Sequence, residues 1–172
     1  MTLTKKSQAF LRPLLNSVVH VHIFDEQSSL VISKPHVAKQ VQHILNLEKI
    51  APQEVMIHFV STERISELHE QFFDDPTPTD CISFPIDQEI LGEVFVCTDV
   101  AVSYAKEHQL DPYDEASLYV VHGLLHLMGY DDIEEKDRSM MRKKEKSCMQ
   151  SLMDHHLGMH PTHFQHGYGE TH

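Results

Sequence analysis

Apolar residues recur at two different spacings along the chain, and each spacing predicts one kind of secondary structure. Where every second residue is apolar, as at Val19, Val21 and Ile23, one face of a strand is expected to lie on a core. Strands are predicted on this basis at residues 17–24, 54–60, 81–86 and 92–97. A further short run, residues 29–32, is a candidate to pair with the first strand.

Apolar residues at intervals of three and four predict helices. Ile65, Leu68 and Phe72, for example, form an apolar stripe just before the turn-rich residues 74–80. Helix-capping residues and Pro35 set the expected boundaries. The helices are predicted from Pro35 onward, from a cap at Ser61 or Thr62, from a cap at Thr98 or Asp99 to about Gln109, between Asp111 and Gly129, and from about Glu134 to Met153.

The helix after Asp111 is apolar on nearly every side, which is typical of a helix buried in the centre of a domain. Asp111 is a good N-cap, Pro112 suits the first helical position, and Gly129 is placed to end the helix in a left-handed conformation. The order of elements therefore predicts an α+β fold. In that fold, a small mixed sheet packs with helices around this central helix.

Length and composition change this picture little. The chain has 172 residues, 41% of them apolar, which suits one packed domain at residues 1–155. A His-rich tail, residues 156–172, is expected to be loose. Three scattered cysteines indicate reduced thiols, and no run reaches the roughly 18 apolar residues of a membrane span. The N-terminal stretch that contains Lys5 and Lys6 matches a secretory signal poorly, so we expect a cytoplasmic protein.

His122 and His126 are the residues most suggestive of chemistry. Residues four apart share one face of a helix, so both imidazoles can reach a single ion. Gly129 then turns the chain, and Asp131 and Asp132 can return to the same face. The spacing matches the metzincin zinc motif with Asp132 in place of its last histidine. We therefore predict metal ligands at His122, His126 and a third residue at or beside Asp132.

The alternative is that these histidines are ordinary core residues. The chain contains 15 histidines, so an HxxxH pair is expected by chance, and we interpret His156 and His160 as such a pair. The first pair differs because it lies on a buried helix, where unpaired imidazoles are costly, and is followed by a helix-stopping glycine. Gly123 stands where HExxH peptidases carry their general-base glutamate, which disfavours peptide hydrolysis.

Three sequence blocks resemble the YbeY family, the metal-dependent endoribonucleases of bacterial ribosomal RNA maturation. The family motif HGxLHLxGYDH is similar to residues 122–132, which read HGLLHLMGYDD. The family segment PTDVLSFP is similar to residues 78–85, PTDCISFP, and its LGDI strand to residues 91–94, LGEV, followed by Asp99. The three blocks keep the family's order and spacing.

This resemblance implies an α+β fold, one Zn2+ per chain and single-stranded RNA as substrate. It also implies ribosomal RNA and the ribosome as partners in RNA maturation and ribosome quality control. Asp132 occupies the position of the third family ligand, a histidine. Exchanging an imidazole for a carboxylate weakens the ion as a Lewis acid and could favour a different divalent metal. Asp131, next to the ligand position, is our candidate general base.

The chain also departs from the family where an arginine and a lysine precede the PTD segment, because Phe73 and Asp75 stand there. Arg64 is the nearest candidate cation. Three functions therefore remain open: an endoribonuclease, a non-catalytic ribosome-assembly factor with a structural metal, and a metallopeptidase. The formal net charge of -12 opposes long-range attraction to nucleic acid, and we expect neither DNA nor a membrane as a partner.

Overall fold

A computed structural model of the protein describes residues 18–160. The N-terminal stretch with Lys5 and Lys6, the first residue of the first predicted strand, and residues 161–172 of the predicted tail lie outside the described residues. The elements in chain order are β1 (His20–Glu26), α1 (Lys34–Leu47), β2 (Glu54–Val60), α2 (Thr62–Phe73), β3 (Cys81–Pro85), β4 (Ile90–Cys97), α3 (Thr98–His108), α4 (Pro112–Leu127) and α5 (Glu135–Asp154).

The strands form one four-stranded mixed sheet in the order β1-β2-β4-β3, which confirms the predicted fold class. β1 pairs with β2 and β2 with β4 in parallel, while β3 and β4 are antiparallel. The expected strand at residues 29–32 is wrong, because these residues form a bend followed by irregular chain. The side-chain oxygen of Gln27 accepts from the backbone N–H groups of Ser29 and Leu30, so it takes donors that a strand would use.

α4 packs against β3 and β4 and is the most buried helix of the described chain. As predicted, Asp111 caps it by accepting from the backbone of Tyr113 and Asp114, and Gly129 follows its end with φ +93°. Gly123 sets how closely the helix approaches the sheet. A Cβ atom at this position would lie 2.3 Å from Cγ1 of Val94 on β4, so a larger residue fits only if Val94 or the helix shifts.

Two local predictions differ from the structure. Phe72 is 54% exposed rather than part of the buried stripe of α2, and its ring packs against Phe84 at a centroid distance of 4.7 Å. α3 takes Cys97 as its N-cap. The carboxylate of Asp99 instead accepts from the backbone and hydroxyl of Thr62, so it joins the first turns of α2 and α3.

The histidine and glycine content predicts a loose chain from residue 156 onward, but the residues directly after α5 are packed. Met159 is fully buried in the main core, and Leu157 packs against that core. Gln40 of α1 donates to the carbonyl of Leu157 at 2.7 Å, which anchors the segment. These contacts anchor the segment after α5, so the packed core includes residues as far along the chain as Met159. Among the described helices, none is long and apolar enough to cross a membrane.

Burial of Met159 generates a stability prediction. Met159→Ala should lower the free energy of unfolding by about 2–5 kcal/mol, because it leaves a cavity in the core. Met153→Ala, at a side chain that is 56% exposed, is the matched control and should change it by about 0.5 kcal/mol or less. Urea denaturation of both variants measures the difference, and equal losses would show that Met159 does not pack in solution.

Candidate metal centre

The structure brings His122, His126 and Asp132 together at the C-terminal end of α4. The Nε2 atoms of the two histidines lie 3.0 Å apart. The carboxylate oxygens of Asp132 lie 3.7 Å from each of them, Oδ2 from His122 and Oδ1 from His126. All three side chains are partly exposed, so the cluster has an ion-sized spacing and is open to solvent.

The remaining nitrogen of each ring is held by a hydrogen-bond acceptor. Nδ1 of His122 faces Oε1 of Glu145, and Nδ1 of His126 faces the backbone carbonyl of Tyr130 at 3.1 Å. A carboxylate and a carbonyl accept only, so both Nδ1 atoms carry a hydrogen, and in the neutral ring each Nε2 atom presents a lone pair. This is the arrangement in which outer carboxylates and carbonyls orient metal-binding histidines.

Two unprotonated Nε2 atoms 3.0 Å apart repel unless a proton or a metal ion lies between them. In a tetrahedral zinc site with bonds of about 2.0–2.1 Å, two ligand atoms lie about 3.3 Å apart. The separation of the two Nε2 atoms, and the shortest separation of each from an oxygen of Asp132, lie within a few tenths of an ångström of that value, although the two histidines face different oxygens of the carboxylate. The residues present therefore fit a bound divalent metal ion.

The electrostatic surroundings of His122 also favour a cation. Burial lowers the pKa of its imidazole, but the hydrogen bond and charge of Glu145, with the charges of Asp80 and Asp132, outweigh burial and raise the pKa above its ordinary 6.5. The same negative charges that stabilise a proton on the ring attract a metal ion to it.

Several side chains hold the loop after α4 in place, and this loop positions Asp132. Arg138 of α5 donates from Nε to the carbonyl of Asp132 at 3.1 Å and from Nη2 to that of Ile133 at 2.9 Å. Asp131 is exposed, and its Oδ1 accepts from the backbone of Asp132 at 2.7 Å and of Ile133 at 3.2 Å. This hydrogen bonding gives Asp131 a structural use in the loop, and its role as general base stays a prediction.

A groove of about 400 Å³ opens beside His126. Phe73 lines it with a ring that is 56% exposed, so the position where the YbeY family carries arginine does lie next to the centre. His69 also lines the groove and donates from Nδ1 to the carbonyl of Thr77 at 2.7 Å. Arg64 is not among the lining residues and pairs instead with Glu67 at 3.1 Å.

The sequence alone did not reveal the roles of Glu145, Arg138 and His69. Glu145 is 23 positions from His122, and its only signal is that it is an acid within a run of lysines. Arg138 and His69 act through backbone carbonyls, which leave no trace in a sequence pattern. These residues could be found only once α2, α4 and α5 had been packed together.

A second group with metal-binding side chains lies at the opposite end of α4. His160 lies 3.7 Å from Asp111 and 3.9 Å from Asp114, and the side chains of both aspartates are exposed. Asp111 already uses Oδ1 to cap the helix. His156 is not in this group, so the pair His156 and His160 does not converge on one ion.

A mixed four-stranded sheet, a buried central helix and an open His-His-Asp cluster together define an α+β protein with a candidate metal centre. Comparison with known proteins gives the family. The sequence profile described as Endoribonuclease YbeY matches residues 22–153. The chain therefore belongs to the YbeY family, which confirms the resemblance of its three sequence blocks.

Relatives and a solved structure agree with this assignment. "Endoribonuclease YbeY" of Protochlamydia amoebophila is 47% identical over 78% of this chain and 94% of its own length. The protein of the same description from Chlamydia muridarum is 35% identical over 83% and 93%. The solution structure of TM1509 from Thermotoga maritima has a TM-score of 0.59 and 26% identity, covering 78% of this chain and 90% of that one.

The position of Asp132 leads to a prediction about metal affinity. Asp132→Ala should weaken zinc binding strongly, because it removes the carboxylate that faces both Nε2 atoms. Asp131→Ala is the matched neighbour and should keep most of the affinity. Competition with a zinc chelator measures both. If Asp131→Ala loses zinc and Asp132→Ala does not, the third ligand is the other aspartate.

The contact between His122 and Glu145 leads to a second prediction. Glu145→Gln should lower zinc affinity by about 10–100-fold, because a neutral amide orients and polarises the imidazole less well than a carboxylate. Glu135→Gln, at an exposed position on the same helix, makes the same change of charge and should have little effect. Equal chelator competition curves for the two variants would refute a positioning role for Glu145.

Proposed function

We propose that this chain is a metal-dependent endoribonuclease specific for single-stranded RNA, with one zinc ion held by His122, His126 and Asp132. The observation that carries the proposal is the pair of converging Nε2 lone pairs beside Asp132, in a chain of the YbeY family. The proposed setting is the cytoplasm. The proposed role is ribosomal RNA maturation and ribosome quality control, with the ribosome as partner.

Zinc, when bound, would polarise a phosphoryl oxygen and make nearby water more acidic. The chain's own contribution is to hold the metal-binding side chains in position. Glu145 and the carbonyl of Tyr130 keep the imidazoles of His122 and His126 in one tautomer and orientation. Asp132 adds negative charge where the family has a neutral imidazole, so the ion would be a weaker Lewis acid and another divalent metal could serve.

The groove beside His126 supports a preference for unpaired RNA. Phe73 presents an exposed ring there, and a base that is not paired in a duplex can stack on an aromatic side chain. The attacking group is either water or the 2′-hydroxyl of the RNA itself. Asp131 is proposed as the general base, and its exposure near the third ligand is what supports it.

One observation favours the second candidate, a ribosome-assembly factor with a structural metal. Phe73 occupies the groove position where a family arginine would hold phosphate, and the absence of such a charge costs about 10²–10³ in rate. A metallopeptidase is disfavoured, because Gly123 packs so close to Val94 that a glutamate does not fit there.

Cleavage of a labelled RNA in single-stranded and duplex form tests the proposed function. Wild-type protein should cleave the single strand slowly, with little action on duplex, and should stop when zinc is chelated. His126→Ala should fall to the background rate because it lacks one ligand. His20→Ala, at an exposed histidine of β1, is the matched control and should retain the wild-type rate.

The ends of the products identify the attacking group. A cyclic phosphate indicates the 2′-hydroxyl, and a free 3′-hydroxyl indicates water. Equal cleavage by wild type and His126→Ala would reveal a contaminating nuclease. If wild-type protein carries zinc and binds ribosomes but cleaves no RNA, the assembly-factor function replaces the proposal.

A further inference from the structure

The positive charge of this acidic chain is concentrated on α5. The formal net charge is -12, yet six of the 14 lysines and arginines lie between residues 136 and 146, against two acidic residues in that segment. The six are Lys136, Arg138, Arg142, Lys143, Lys144 and Lys146. A local excess of cations on a surface that is otherwise acidic indicates a site for an anionic partner.

Four of these residues line one surface of α5 together with Glu135 and Ser139, and we call the four the basic stripe: Arg138, Arg142, Lys143 and Lys146. Arg138, Arg142 and Lys146 follow one another at intervals of four along one side of the helix, Lys143 lies three residues before Lys146, and all four are exposed. Among residues 18–160, none of the four pairs with a carboxylate, whereas neighbouring Lys144 binds Glu48 at 2.9 Å. Like charges at this spacing repel, so a partner that neutralises them would stabilise the helix.

The basic stripe begins at the candidate metal centre. Arg138 holds the loop of Asp132 through the carbonyls of Asp132 and Ile133. Glu145, which orients His122, lies three residues after Arg142 and therefore on the same side of α5. The cations thus run along the helix away from the residues proposed to bind zinc, with a rise of about 6 Å from Arg138 to Arg142 and again to Lys146.

We propose that the basic stripe binds the phosphate backbone of an RNA strand whose scissile bond lies at His122, His126 and Asp132. This inference rests on the proposed function. An RNA strand carries an evenly spaced row of negative charges, and a row of unpaired cations complements it. The groove beside His126 has Phe73 in place of a cation, so the phosphate contacts must come from another surface, and α5 supplies one that adjoins the centre.

Binding of a short, unstructured, fluorescent RNA to the zinc-loaded full chain tests this. The double variant Arg142→Gln/Lys146→Gln should bind about tenfold more weakly at low salt. The slope of log affinity against log salt should become shallower by about 1.4, or about 0.7 for each phosphate that the variant no longer neutralises. Zinc content and melting temperature should be unchanged, because neither side chain contacts the centre or the core. Arg138 is left intact, since it positions Asp132.

The control is Lys39→Gln/Lys106→Gln, which changes the net charge equally at exposed positions of α1 and α3. Its RNA affinity should fall by less than twofold, and its salt slope should match that of wild type. Equal losses of affinity in both double variants would overturn the proposal, because net charge alone would explain them. Unchanged RNA binding by the α5 variant would also overturn the proposal. So would a result in which wild type binds polyglutamate more tightly than RNA and the α5 variant loses that affinity.

Failure of the inference and failure of the proposed function give different results. If wild type cleaves RNA and the α5 variant keeps wild-type affinity, the stripe is refuted and the endoribonuclease function stands. If wild type binds RNA through the stripe but cleaves nothing, the stripe is supported and the catalytic proposal is refuted. In a cleaving enzyme, the α5 variant should raise KM about tenfold while kcat stays close to wild type.

Discussion

The Nε2 atoms of His122 and His126 lie 3.0 Å apart, and the arrangement of the site depends on keeping them there. A pair of imidazoles left free would rotate apart or share a proton. Glu145 and the carbonyl of Tyr130 oppose this rotation by accepting hydrogen bonds from both Nδ1 atoms. These contacts, together with the burial of α4, hold both rings in place.

Burial of α4 therefore positions His122 and His126 as well as stabilising the fold. Gly123 lets the helix approach Val94 of β4 more closely than any side chain would permit, and Ser83 of β3 donates to the carbonyl of Gly123 at 3.0 Å. These contacts fix the helix on the sheet and so fix where His122 and His126 emerge. The loop of Asp132 is less buried, and it is held by hydrogen bonds that Arg138 donates and that the carboxylate of Asp131 accepts.

Charge is distributed unevenly over this fold. The whole chain is strongly acidic, and Asp80, Asp132 and Glu145 add negative potential at His122, which suits a cation. Anionic RNA would be repelled by such a centre until an ion neutralised it. The cations of α5 lie beside the centre rather than in it, so the surface that favours an anion is adjacent to the one that favours a cation.

The sequence by itself determined the elements and most of the centre. Periodicity predicted β2 with its observed bounds, the α+β class and the buried α4, because these depend on spacing along one segment. His122 and His126 were predictable for the same reason, since four residues make about one turn, and Gly129 indicated the bend that returns Asp132. Three blocks of residues placed the chain in its family.

Only the tertiary structure decided which distant groups meet. Glu145, Arg138 and His69 act across elements, and Gln27 satisfies the backbone of residues 29–32, where periodicity suggested a strand. Met159 is buried although its neighbours are glycine and histidine. The sequence pattern could not predict this burial, because a core position outside the helices and strands has no local signature. Local pattern reports which face of a segment is apolar, whereas contacts between segments follow from how the layers pack.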